Sequence, residues 1–71
     1  MFLDDTAITA DVKSAVFGEP TLKSTEINVE TFKGDVQLSG FVSLHADINK
    51  AVEVTRGVGG VKSVKNHMRV K

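Results

Sequence analysis

The stretch Ile27-Asn28-Val29-Glu30-Thr31-Phe32-Lys33-Gly34-Asp35-Val36-Gln37-Leu38-Ser39-Gly40-Phe41-Val42 decides the fold. Before Lys33-Gly34, Ile27, Val29 and Thr31 alternate with Asn28, Glu30 and Phe32; after it, Val36, Leu38, Gly40 and Val42 alternate with Gln37, Ser39 and Phe41. A period of two marks half-buried strands, and a short Gly-containing break between two such runs marks a hairpin. A two-residue Lys33-Gly34 loop pairs Thr31 with Val36, Val29 with Leu38 and Ile27 with Gly40. All the aliphatic side chains then share one face. A slip of one residue scatters them over both faces, so the pattern fixes the register. Gly34 supplies the positive φ that such a turn requires.

On either side of the hairpin the period lengthens. Ile8, Val12, Ala15 and Val16 recur along one face of a helix spanning Asp4 to Phe17. Asp4, Asp5 and Thr6 offer an N-cap and negative charge where the helix dipole favours it. Gly18 is placed to end the helix in the left-handed conformation, and Pro20 blocks its continuation. After the hairpin, Leu44, Ile48, Ala51, Val52 and Thr55 line a second helix from Leu44 to Arg56. Ser43 is its candidate N-cap, Gly57 its stop, and Gly59-Gly60 a flexible turn. Val64, Asn66, Met68 and Val70 then alternate with Lys65, His67, Arg69 and Lys71 in a last strand.

The order is αββαβ, and the expected fold class is α+β: a two-layer sandwich whose three-stranded mixed sheet carries both helices on one face. Nothing else in the chain can cover the aliphatic side of the sheet. A right-handed crossover through the second helix makes the last strand parallel to the second. The expected core is Ile8, Val12, Val16, Val29, Leu38, Ile48, Val52, Val64 and Met68.

Seventy-one residues are room for one domain, placed at residues 4–71. At this size only about 60% of the unfolded surface is buried, which leaves little volume for a deep catalytic cavity. With no cysteine, disulfides and thiolate metal sites are excluded. Met1 to Asp5 shows neither the basic start nor the apolar run of a signal peptide. The chain as given therefore reads as cytoplasmic, or as the processed part of an exported protein. Formal net charge is zero, which counts against bulk nucleic-acid binding. Yet residues 1–35 hold seven acids and three bases, net −4, and residues 36–71 hold two acids and six bases, net +4. Such a split either marks an interaction face or draws the two halves together.

Taken together and in this order, three motifs make the chain resemble the BON domain family (bacterial OsmY and nodulation). They are Ile27-x-Val29 with Gly34-x-Val36-x-Leu38-x-Gly40-x-Val42, the closing Gly60-Val61-x-x-Val64-x-Asn66-x-Met68-x-Val70, and the opening helix Ile8 to Phe17 with Val12-Lys13 at its middle. Met68 stands where the family often has leucine, a volume-conserving exchange. The resemblance implies the αββαβ fold, a bacterial cell-envelope setting and partners among phospholipid surfaces or envelope components. Relatives include periplasmic osmotic-stress proteins, outer-membrane lipoproteins and a cytoplasmic potassium-binding protein. Most carry two copies or an added domain, whereas this chain carries one.

Catalytic and metal chemistry find little support. His45 and Asp47 are two apart on a helix, so their side chains diverge, and they read as a solvated first turn. His67 lies between Lys65 and Arg69, whose charges oppose metal binding, and it reads as a surface residue. The glycines at 57, 59 and 60 leave a helix and enter a strand, the reverse of a dinucleotide-binding loop. Gly40, in mid-strand, reads as a bulge or a site of close helix packing. Ser14, Ser24, Ser39, Ser43 and Ser63 have no catalytic motif around them. The expectation is a binding module, not an enzyme, with no cofactor and no metal.

The open face of the sheet is the better candidate. It presents Glu30 and Phe32, then Gln37, Ser39 and Phe41, then the basic row. The candidate contact residues are Phe32, Phe41, Lys65, His67, Arg69 and Lys71, a set suited to an anionic phospholipid membrane or an envelope protein. Lysines along a strand edge also serve simply to prevent aggregation. Aromatics beside a basic track suit single-stranded nucleic acid too, a reading that the neutral charge disfavours. Phe17, with Phe2 and Leu3, forms a second candidate patch. The alternative function is small-ion (potassium) or osmotic-stress sensing, with carbonyls of the Gly57–Gly60 turn as ligands. Oligomeric state is left open by the sequence.

Overall fold

The computed structural model describes residues 4–22 and 26–71. The elements are α1 (Asp5–Phe17), a short 3-10 turn (Pro20–Leu22), β1 (Glu26–Phe32), β2 (Asp35–Val42), α2 (His45–Arg56) and β3 (Ser63–Val70). The sheet order is β1-β2-β3, with β1 antiparallel and β3 parallel to β2. This is the α+β sandwich expected from the periods, mixed sheet included.

The hairpin register is the one the alternation requires: Thr31 opposes Val36, Val29 opposes Leu38 and Ile27 opposes Gly40. Lys33 and Gly34 both take positive φ, 51° and 86°. That is the geometry of the primed turns whose twist matches that of the strands. The parallel pairing sets Val36 beside Val64, Leu38 beside Asn66 and Gly40 beside Met68. Gly40 is neither a bulge nor a seat for a helix. Its φ is 126°, and a side chain there would overlap the backbone carbonyl of Glu26 at the start of β1.

The core comprises Ile8, Val12 and Val16 of α1, Leu22, Ile27 and Val29 of β1, Val36, Leu38 and Val42 of β2, Ala51 of α2 and Met68 of β3. Ile48, Val52 and Val64, expected inside, are only partly buried and pack against its margin. The deepest line of α2 is instead Asp47, Ala51 and Thr55. Small residues there let the helix approach closely and turn its larger aliphatics toward the flanks. Thr55 is wholly buried because its hydroxyl donates to the Ala51 carbonyl at 2.7 Å, leaving the methyl to pack. Leu22 joins the core from the 3-10 turn, where no periodicity signals it.

Gly57 ends α2 as expected, while the conformation of Gly18 and the N-cap of α2 differ from expectation. Gly18 and Gly57 are right-handed, with φ of −75° and −78°. Gly57 N–H and Val58 N–H donate to the carbonyls three residues back, so α2 tightens into a 3-10 turn and needs no left-handed residue. The N-cap of α2 is Leu44, one residue after Ser43. Leucine has no acceptor, and the cap is made from the helix side: Leu44 N–H donates to Asp47 Oδ2 at 3.2 Å. That bond explains why Asp47 is buried and not solvated as its place beside His45 suggests.

Asp4 caps α1, its Oδ1 accepting from Ala7 N–H at 2.8 Å. Asp5 does something else. Its carboxylate accepts from Lys33 N–H at 2.9 Å and Gly34 N–H at 3.2 Å, so it holds both amides of the hairpin turn. Lys62 N–H donates to the Gly34 carbonyl at 2.8 Å, which ties the loop before β3 to the same turn. One turn farther along α1, the Thr9 hydroxyl donates to that of Thr31 at 2.8 Å. Three connections thus meet at one end of the sheet. Asp5→Ala is expected to cost about 1–2 kcal/mol in urea denaturation, since it strips a charged acceptor from two amides. Amide exchange at Lys33 and Gly34 should speed up in that variant; unchanged exchange there would contradict the anchoring role.

Candidate interaction surface

Because both helices lie on the aliphatic side, the other face of the sheet carries the outward residues of all three strands. Pairing arranges them in rows across the sheet. Glu26, Phe41 and Arg69 form one row, followed by Asn28, Ser39 and His67, then Glu30, Gln37 and Lys65, then Phe32, Asp35 and Ser63. Read down the strands, β1 contributes an acidic column, β2 a mostly neutral one and β3 a basic one. The sequence-wide charge split has become a division across the sheet, because β1 and β3 are its two edges.

Lys65, His67 and Arg69 fall one below another on β3 and are all exposed, as their alternation requires. Lys71 lies just past the strand, and its Nζ is 3.8 Å from Glu26 Oε1, the one ion pair among the described residues. Both side chains are well exposed, so the contact contributes little. Phe32 is 69% exposed, with Lys33 Nζ 5.4 Å from its ring centroid. Phe41 is 46% exposed. The two rings stand three rows apart, about 20 Å along the strands, and do not form one aromatic patch. Phe41 lies beside Arg69 and Phe32 beside the turn.

The acids of the open face, Glu26 on β1 and Asp35 on β2, are what the sequence leaves out. Glu26 precedes the residues assigned to the strand, and Asp35 sits against the turn. Both share parity with recognised outward residues, Glu26 with Glu30 and Asp35 with Gln37, so extending the alternation by one step at each strand start finds them. Asp35 Oδ1 accepts from the Ser63 hydroxyl at 2.7 Å, joining β2 to β3. Phe17, half exposed, ends α1 at the opposite end from Asp4, while Phe2 and Leu3 lie outside the described residues. Among the described residues there is no cluster of three or more metal-ligating side chains, and no helix is long and apolar enough to cross a membrane.

Comparison with known proteins bears out the family resemblance. The BON domain profile matches residues 4–71. The chain is 47% identical over 70 residues to the osmotically-inducible protein Y of Escherichia coli (strain K12), covering 99% of this chain and 35% of that protein. It is 30% identical over 67 residues to an uncharacterized protein in the gshII 5' region of Anaplasma centrale, covering 94% of this chain and 44% of that one. The chain therefore spans between about a third and under half of these relatives. With the family profile matched over nearly all its length, the closing strand and hairpin motifs included, this chain belongs to the BON domain family.

Proposed function

We propose that this chain is a non-catalytic binding module serving an osmotic-stress or envelope role, and that it docks on anionic phospholipid surfaces through the β3 edge of its open sheet face. One observation carries the reading: Lys65, His67 and Arg69 stand in a single exposed column at a sheet edge, and none is engaged in an ion pair among the described residues. The acidic column lies two strand spacings away, about 10 Å, which is one Debye length at moderate ionic strength. An edge-on approach therefore brings the bases to the headgroups and keeps Glu26 and Glu30 out of range. Phe41, next to Arg69, adds apolar contact at the interface. The osmotic-stress assignment draws on the name of the Escherichia coli relative, and the lipid on the chemistry of the column.

Each base near an anionic bilayer contributes about 1 kcal/mol, so the binding is weak and salt-sensitive. Lys65→Glu with Arg69→Glu should abolish cosedimentation with phosphatidylglycerol vesicles at low salt while the circular dichroism stays native. Glu26→Lys with Glu30→Lys should strengthen it. Retained binding in the first variant, or loss only on Phe17→Ala, would move the contact to the end of α1. Resonance shifts confined to Gly57–Gly60 on adding potassium but not sodium would favour the ion-sensing alternative.

A further inference from the structure

We infer that the open sheet face is self-complementary, and that a second copy of this chain is an occupant it fits. The inference concerns protein alone and does not depend on lipid binding. It follows from the order of the columns: acidic on β1, mostly neutral on β2, basic on β3. Consider a two-fold axis lying between two such faces and running along β2. It reverses the order of the columns but keeps the rows in step. Glu30 of one copy then faces Lys65 of the other, Glu26 faces Arg69, Asn28 faces His67, and Phe41 meets its own symmetry mate. A two-fold axis across the strands instead sets acid over acid and base over base. Charge therefore selects one of the two isologous arrangements, and sequence position selects the pairs.

The layers above the sheet agree. The net −4 half of the sequence supplies α1 and β1, and the net +4 half supplies nearly all of β2, α2 and β3. The chosen axis lays the acidic side of each copy over the basic side of the other. Glu30 and Lys65 have no ion pair within the chain among the described residues, so neither must break one to make the contact. One like-charge meeting remains, Asp35 against its own mate at the turn end. Part of that charge is met within each copy, because Ser63 already donates to the carboxylate.

Three strands of about eight residues present roughly 14 × 26 Å, so two faces together bury about 700–800 Å². That lies below the roughly 1,200 Å² of a stable interface. The association is accordingly weak and concentration-dependent, stronger at low salt. The test uses the 71-residue chain without lipid, with amide shifts followed over a dilution series at low salt. The expected shifts are confined to β1, β2 and β3. Glu30→Lys or Lys65→Glu alone should lower the association constant about tenfold or more, since each reverses two symmetry-related pairs. An equimolar mixture of the two single variants should restore it, because in the mixed pair every acid at position 30 or 65 again faces a base at the other position. Asp35→Asn should strengthen it. Failure of the mixture to recover association, shifts centred on the helices, or no concentration dependence at any salt would each overturn the proposal.

Discussion

Gly40→Ala is expected to remove about a third or more of the domain's stability. The alanine methyl would overlap the Glu26 carbonyl oxygen and lie against the Ile27 Cα at 3.3 Å, and both neighbours are backbone that cannot swing aside. At φ 126° the residue would also be strained whatever the space, costing on the order of 1–3 kcal/mol. Relief requires the first residues of β1 to part from β2, which withdraws Ile27 from the core. The combined cost is about 4 kcal/mol or more, against a total stability of roughly 4–11 kcal/mol for a domain of this length. Urea denaturation should show that loss. A urea midpoint within about 0.5 M of wild type would show that the strands do not approach so closely.

Leu38→Ala should cost roughly 2–5 kcal/mol, while its neighbour Gln37→Ala should change stability by less than about 0.5 kcal/mol. The contrast rests on one strand's two faces. Leu38 is wholly buried in the central strand, between Val29 and Asn66, on the side of the sheet that the helices cover. Gln37 is exposed in the row with Glu30 and Lys65. Urea denaturation of the two variants measures the difference. Comparable losses at both positions would mean that something covers the open face.

The hairpin and its register were legible because a period of two leaves only one solution once half the residues are aliphatic. Lys33-Gly34 gave the turn for the same local reason. What escaped the sequence was carried by contacts between distant segments. Asp5 looks like one more acid in a helix's first turn, yet it holds the amides of Lys33 and Gly34, and no local pattern links those positions. Asp47 looks solvated beside His45, but the cap bond from Leu44 draws it inside. Ile48 and Val52 look like the core stripe of α2, but the smaller Ala51 and Thr55 allow closer approach and take the inner line. For Gly40 the alternation showed an anomaly without its cause, the nearby Glu26 carbonyl. On the open face, the basic column and both phenylalanines were legible from parity. The acidic column was half found, and the separation of Phe32 from Phe41 needed the strand order and the pairing.

The measurement closest to the central claim is an amide map of the isotope-labelled chain, titrated with phosphatidylglycerol vesicles at low salt and separately with potassium. If the open sheet face is the interaction surface, signal loss on adding vesicles should begin at Lys65, His67, Arg69 and Phe41, leave Ile8 to Val16 of α1 until last, and vanish at high salt. Perturbation that starts at Phe17, or that appears only at Gly57–Gly60 and only with potassium, would contradict that claim.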